Sequence, residues 1–136
     1  MLCDEVDYFD PVVADWTPEC QARELAEREH WCTHRVYVLT PKMTGVYAVA
    51  EVVDDSNKRP DTTIFCFLCT DGDDKFTPGQ IKSMRAVQAL VARNGAVVCQ
   101  SLVGVSNMLN MLAMMPEEGK RRNDQTHANV RHHRFD

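Results

Sequence analysis

Short apolar runs alternate with longer segments whose apolar positions recur at helical spacing along this chain. The runs are bounded by Pro, Gly and Asp, which is typical of β-strands. They predict strands at Val6–Phe9, Arg35–Leu39, Thr63–Leu68 and Ala96–Cys99. A helical segment follows each run, and we predict helices over about 18–32, 44–54, 78–93 and 102–115. This repeated strand-helix order predicts an α/β, three-layer domain with a short, mostly parallel sheet of about four strands.

Capping residues support the predicted helix ends. Thr17 precedes a Pro at the first position of the first helix, and Thr77-Pro78-Gly79-Gln80 has the pattern of a capping box. Asn94-Gly95 is typical of a helix end, and Ser101 is a suitable cap for the last helix. We therefore expect one α/β domain over residues 1–115. Residues 116–136 are polar, and we expect a mobile tail there.

Composition narrows the class of protein. The chain of 136 residues has a formal net charge of -5, which argues against a non-specific nucleic-acid binder. No apolar run approaches the roughly 20 residues that span a bilayer, and no secretory signal opens the chain. We expect a cytoplasmic protein that binds neither a membrane nor a specific nucleic acid, with its six cysteines reduced.

The cysteine pattern does not favour a metal site. Cys66 and Cys69 form a CxxC pair along a predicted buried strand, where residues three apart point to opposite faces. Zinc sites place such pairs on turns, so we predict no metal.

The loop after the second predicted strand is the strongest candidate for a binding site. A strand that ends at Thr40-Pro41 and restarts as a helix after Gly45 creates a crevice, where open α/β sheets bind small ligands. Glu51 follows on the new helix among small residues such as Ala48 and Ala50. A carboxylate sheltered there can act as a nucleophile toward a sugar carbon, whereas the simpler alternative is an ordinary helix-surface carboxylate.

Two further acidic residues follow the first predicted strand. Asp10 and Asp15 are expected at the same sheet edge as Glu51, where one carboxyl group can serve as an acid. The alternative is that both only make local turn hydrogen bonds. Trp16 lies beside them, either for packing or for stacking on a base.

Three blocks in order carry a resemblance to a known family. They are Asp7 to Thr17 (DYFDPVVADWT), Val36 to Tyr47 (VYVLTPKMTGVY) and Glu51 to Pro60 (EVVDDSNKRP). Together they resemble the nucleoside 2-deoxyribosyltransferase-like proteins of phage and bacterial genomes. The resemblance implies a flavodoxin-like fold and chemistry at the glycosidic bond of a 2-deoxynucleoside or its phosphate. Members usually begin with a further strand and a Gly-rich turn. Only Met1 to Val6 stand in that place here, so we expect this strand to be missing.

The same resemblance implies roles for individual residues. Glu51 attacks the anomeric carbon and passes the deoxyribosyl group to a second base or to water, while Asp10 or Asp15 assists base protonation or sugar positioning. The resemblance also implies that Gly45 and Tyr47 line the sugar pocket. The predicted substrate-binding residues are Gly45, Tyr47, Trp16, Met43 and Thr44. The resemblance implies a deoxynucleoside or deoxynucleotide substrate, no cofactor and a homo-oligomer. The alternative is a non-catalytic nucleotide-binding or assembly protein, with the Met-rich last helix as a contact.

Overall fold

The computed structural model describes residues 1–115, and the predicted tail at 116–136 lies outside them. The helices are α1 (Pro18–Ala26), α2 (Tyr47–Lys58), α3 (Pro78–Arg93) and α4 (Leu102–Ala113). The strands are β1 (Arg35–Leu39), β2 (Thr63–Phe67), β3 (Thr70–Asp71), β4 (Asp74–Lys75) and β5 (Val97–Cys99). A π-helical turn, Glu27–Trp31, extends α1, and a 3-10 turn, Pro60–Thr62, precedes β2.

The main sheet is parallel, with the strand order β1-β2-β5. Tyr37 of β1 lies opposite Phe65 of β2, and Cys66 of β2 lies opposite Cys99 of β5. The chain crosses the sheet in one direction through α2 and then α3. Because such crossovers are right-handed, both helices lie on one face, where they contact each other.

The hydrophobic core fills the space between that face and the two helices. Phe65, Val52 and Val91 are fully buried in it. Neighbouring residues on a strand point to opposite faces, so Ile64 and Cys66, also buried, point away from this core. Helix α4 contacts β2 and β5 and covers them there. The molecule is a small α/β domain, as predicted.

The prediction of a strand at Val6–Phe9 is wrong. This segment is outside the sheet, which within residues 1–115 has three parallel strands rather than four. The segment places Tyr8 in solvent, with 75% of the residue exposed, so it lacks the buried face that fixes a strand. The beginning of the chain is held to α4 instead. The Cys3 amide donates a hydrogen bond to Asn110 Oδ1 at 2.8 Å, and Asn110 Nδ2 donates to the Met1 carbonyl at 3.0 Å.

Strand β1 is therefore an edge strand in the described part of the chain. Val36 on this strand is 39% exposed. Its side chain points to the same face of the sheet as Ile64, where α4 contacts β2 and β5.

The predicted helix caps are confirmed. The Thr17 hydroxyl accepts a hydrogen bond from the Cys20 amide at 3.2 Å, and Thr77 with Gln80 forms the capping box. Gly95 follows α3 with a φ of 100°, a left-handed conformation that favours glycine. Helix α2 begins at Tyr47, later than predicted, because the loop up to Val46 stays non-helical.

Residues 70–75, which follow β2, form a tight hairpin. Strands β3 and β4 pair antiparallel around Gly72, whose φ of 59° allows the turn. Among residues 1–115, no helix is long and apolar enough to cross a membrane.

Candidate active site

One face of α2 carries the acidic residues of the candidate site. Tyr47, Glu51 and Asp55 are four residues apart, so they lie in a row along the helix. Val52 lies on the core side and is fully buried. The row of polar side chains therefore points away from the main core, toward the segment that precedes β1.

Helix α1 and its π-helical extension supply the opposite wall. Gln21, Leu25 and Arg28 recur at helical spacing and face the row on α2. The two walls enclose a cleft of about 470 Å³. Its lining residues are Trp16, Gln21, Glu24, Leu25, Arg28, Tyr47 and Glu51. The cleft is large enough for a small organic molecule.

Glu51 is held in this cleft by an ion pair. Arg28 Nη1 donates a hydrogen bond to Glu51 Oε1 at 2.6 Å, and only 18% of the Glu51 side chain is exposed. Within residues 1–115, Glu51 Oε2 has no hydrogen-bond partner. Burial raises the pKa of Glu51, the nearby charge of Glu24 adds to the effect, and Arg28 opposes it. The carboxylate is thus oriented through one oxygen and open at the other.

A buried carboxylate, Asp55, positions Arg28 in turn. Asp55 is 1% exposed, and its Oδ2 accepts a hydrogen bond from Tyr37 Oη at 2.6 Å. Arg28 Nη2 lies 3.0 Å from the same oxygen. Burial raises the pKa of Tyr37 above its usual range, and the hydrogen bond to Asp55 adds to this, so the phenol stays protonated. Burial alone would lower the pKa of Arg28, but its contacts with Asp55 and Glu51 outweigh that effect and raise it.

Two more arginines connect this cluster to the rest of the domain. Arg35 Nε and Arg59 Nε each lie 3.8 Å from a carboxylate oxygen of Asp55. The Arg59 guanidinium also binds both oxygens of Glu29, at 3.2 and 2.8 Å. Arg35 Nη2 donates to the backbone carbonyl of Arg28. These contacts fix the π-helical turn against α2, and π-helical turns of this kind are frequent at functional sites.

The structure brings together three of the residues that the sequence singled out. Glu51, Trp16 and Tyr47 all line the cleft. Trp16 is 54% exposed and Tyr47 is 75% exposed, so both rings present accessible faces at its mouth.

Asp10 and Asp15 are not among the residues that line the cleft. Asp10 Oδ1 accepts a hydrogen bond from the Val12 amide at 3.0 Å, which is the local turn contact considered as the alternative. Asp15 is exposed, and its backbone carbonyl lies 3.8 Å from Cys20 Sγ. Both were expected at the sheet edge only because a strand was predicted before them, and that strand is absent.

Three residues of the loop before α2 also lie outside the cleft lining. Gly45 is exposed, and a Cβ added there would meet nothing within 4 Å, so no contact within the described residues requires glycine at this position. Met43 packs against the hydrophobic core. Thr44 is exposed.

Sequence reasoning missed four residues of the site: Glu24, Arg28, Tyr37 and Asp55. A partial signal was present, because Glu24 and Arg28 are four residues apart, as are Glu51 and Asp55. This spacing places each pair on one helix face. It does not show that the two faces meet.

The cysteines take no part in this site. The prediction that Cys66 and Cys69 both lie along a buried strand is wrong for Cys69, because β2 ends at Phe67. Cys66 is buried and Cys69 is exposed, and all six cysteines are unpaired. In the described part of the chain, no group of three His, Cys, Asp or Glu residues is placed to hold a metal ion.

Comparisons of the chain with protein-family models, with curated proteins and with solved structures found no match.

Proposed function

We propose that the protein is a nucleoside or nucleotide 2-deoxyribosyltransferase, or an N-glycoside hydrolase, with Glu51 as its nucleophile. The observation that carries the proposal is the position of Glu51. It lines a cleft of about 470 Å³ with one oxygen bound by Arg28 and the other without a partner in residues 1–115. The resemblance of the three sequence blocks to nucleoside 2-deoxyribosyltransferase-like proteins supports the same assignment.

The cleft offers the groups that such a reaction needs. Glu51 Oε2 attacks the anomeric carbon of the deoxyribose, the bond to the base nitrogen breaks, and the deoxyribosyl group is held as an ester. An acceptor base or water then displaces Glu51. Reactions of this kind use two carboxyl groups, and Glu24 is the second one in the cleft lining. We therefore assign to Glu24 the proton transfer to the departing base, one of the two roles that the resemblance implied for Asp10 or Asp15.

The aromatic residues at the cleft mouth suit a base. Trp16 and Tyr47 are exposed and flank the acidic residues. Stacking of a base on an aromatic ring contributes roughly 1–3 kcal/mol and tolerates different bases. Arg28 and Asp55 act as positioning residues, because Asp55 fixes the guanidinium that orients Glu51.

Substitution of Glu51 tests the proposal. We expect Glu51→Gln to lower base release from a panel of deoxynucleosides and deoxynucleotides by about a thousandfold or more, measured by chromatography with and without acceptor bases. Glu19→Gln is the matched control, because Glu19 is exposed in the first turn of α1 and outside the cleft lining. Unchanged turnover in Glu51→Gln would remove Glu51 from the mechanism.

The pH profile gives a second test. The nucleophile must be ionised, and burial raises the pKa of Glu51 above its ordinary value of 4.5. We therefore expect the acidic limb of the pH profile, where kcat/KM rises with pH, to lie above pH 4.5. Arg28→Met removes a charge that lowers this pKa, so the limb should move to higher pH. A limb that stays in place would show that another group controls the rate.

A non-catalytic nucleotide-binding protein is the second candidate. The ion pair of 2.6 Å between Arg28 and Glu51 favours it, because the guanidinium reduces the nucleophilicity of the carboxylate. Thermal-shift measurements with nucleosides and nucleotides distinguish the two functions. Stabilisation without any product favours binding alone, whereas product formation favours the enzyme.

We also propose that the protein works in the cytoplasm as a homo-oligomer. The observation in favour of self-association is the exposure of apolar side chains near the end of α4, where Met111 is 56% and Met114 is 76% exposed. Light scattering tests this, and a strict monomer over the accessible concentration range would contradict it.

A further inference from the structure

A second cavity lies at the carboxyl ends of β2 and β5, away from the cleft at Glu51. Its volume is about 310 Å³. It is lined by Phe67, Leu68, Cys69, Thr70, Arg85, Gln88 and Gln100. It shares no lining residue with the cleft between α1 and α2. Ligand binding in this cavity is therefore independent of the proposed chemistry at Glu51.

The topology explains why this cavity exists. After β2 the chain turns to α3, on the face that also holds α2, whereas after β5 it turns to α4 on the opposite face. The two connections diverge from adjacent parallel strands and leave a crevice between them. In open α/β sheets, such a switch point at the carboxyl ends of the strands is the usual place for a small ligand.

The polar side chains of the lining are donors for an anion. Arg85 and Gln88 are three residues apart on α3 and face the crevice together, and Gln100 lies across it after β5. No Asp or Glu is among the lining residues. Within residues 1–115, Arg85 makes no ion pair or hydrogen bond that would occupy its guanidinium.

The apolar part of the lining closes the inner side of the cavity. Phe67 and Leu68 are half-buried and continue the buried strand β2, so they separate the polar groups from the core. The start of α4 follows directly after Gln100 and its cap Ser101. Its helix dipole adds a weak positive potential to the same edge.

We infer that this cavity binds a small molecule through a carboxylate or phosphate group held by Arg85, with Gln88 and Gln100 donating to its oxygens. The planar guanidinium fork matches both groups, since each presents two oxygens in one plane. The volume of about 310 Å³ limits the ligand to the size of a small metabolite.

Anion titrations of the full-length, ¹⁵N-labelled chain test this inference. Sodium phosphate and sodium succinate are added at constant ionic strength, with sodium chloride as the reference anion, and amide shifts are recorded. We expect saturable shifts at residues 68–70, 85–88 and 100 with one or both oxyanions. Saturation by phosphate alone identifies a phosphate-bearing ligand, by succinate alone a carboxylate-bearing one, and by both a site for either group.

Substitutions on α3 make the test specific. Arg85→Met should weaken the binding by about tenfold or more, and Arg85→Lys, which keeps the charge but loses the fork, should weaken it by about threefold. Arg93→Met is the matched control, because Arg93 is exposed on the same helix and outside the cavity lining. Arg85 is itself exposed, so the variants should keep the wild-type melting temperature. The inference is overturned if neither oxyanion exceeds chloride, or if Arg93→Met weakens binding as much as Arg85→Met.

Discussion

Two adjacent aspartates on α2 provide a sharp test of the buried charge cluster. Asp55 is 1% exposed and touches Tyr37 and Arg28, with Arg35 and Arg59 also close. Asp54 is its neighbour in sequence, but its side chain is 53% exposed and, among residues 1–115, forms an ion pair only with Lys58, at 2.8 Å. We predict that Asp55→Asn strongly destabilises the protein and that Asp54→Asn does not.

The expected size of the effect follows from these contacts. An asparagine at position 55 keeps one oxygen for the hydrogen bonds from Tyr37 and Arg28, but it removes the negative charge. Arg35, with a side chain only 6% exposed, then lies buried without its counter-charge. Removal of one member of a buried ion pair costs roughly 3–5 kcal/mol. Because Asp55→Asn keeps the hydrogen bonds, we expect its loss of stability to be about 3 kcal/mol, at the lower end of this range. The exposed pair of Asp54 contributes about 0.5 kcal/mol or less.

Urea unfolding at pH 7, followed by circular dichroism, measures both variants. The midpoint for Asp55→Asn should fall with an unchanged slope, because the surface exposed on unfolding is the same. In thermal unfolding, about 3 kcal/mol corresponds to a decrease in Tm of about 12 °C for a domain of this size. Asp54→Asn should stay within about 2 °C of the wild type.

Equal losses in the two variants would refute this reasoning, because they would show that the Asp55 carboxylate is solvated rather than paired. A second comparison strengthens the test. Tyr37→Phe should cost less in the background of Asp55→Asn than in the wild type, since Tyr37 Oη donates to Asp55 at 2.6 Å. Additive effects would mean that this hydrogen bond contributes nothing to stability.

Three other predictions follow from particular contacts. Glu29→Gln should lower the free energy of unfolding by about 0.5–1 kcal/mol at pH 7. The hydrogen bond from Arg59 lowers the pKa of Glu29 below 4.5, so this contribution to stability is present above that pH and is lost as the pH falls through the pKa of the folded state. The stabilities of the variant and the wild type should therefore converge in acid denaturation curves. A constant difference between the two would contradict the ion pair. Gly95→Ala should lower the free energy of unfolding by about 1–2 kcal/mol because of the φ of 100° at this position. Gly79→Ala, in the first turn of α3, should not lower it. Equal melting temperatures of the two variants would show that the turn after α3 can adjust. Iodoacetamide at pH 8 should alkylate the exposed Cys69 about tenfold faster than Cys66, because burial shields Cys66 and raises its pKa. Peptide mass mapping measures the two rates. Equal rates would mean that β2 opens readily.

The candidate site shows where reasoning from sequence fails. The position of Glu51 on a helix after β1 could be read from the chain, and its four-residue spacing from Asp55 fixes a shared helix face. Its partner Arg28 lies 23 positions earlier. No local pattern connects the two, because their contact depends on how the π-helical turn packs against α2. The acidic residue that faces Glu51 is accordingly Glu24 on α1, not Asp10 or Asp15.

The sequence by itself determined the four helices, the three strands of the main sheet and several of their ends. Helix caps such as Thr17 and Thr77, and the glycine at position 95, act through hydrogen bonds and backbone conformations within a few residues, so they can be read without the fold. The apolar runs that form β1, β2 and β5 could also be recognised from a few neighbouring residues. Only the tertiary structure decided that Val6–Phe9 stays outside the sheet, that α1 and α2 enclose the cleft, and that a cavity opens between β2 and β5. These outcomes depend on which apolar and charged surfaces bury one another across the whole chain, and free energies of that kind are not encoded in any single segment.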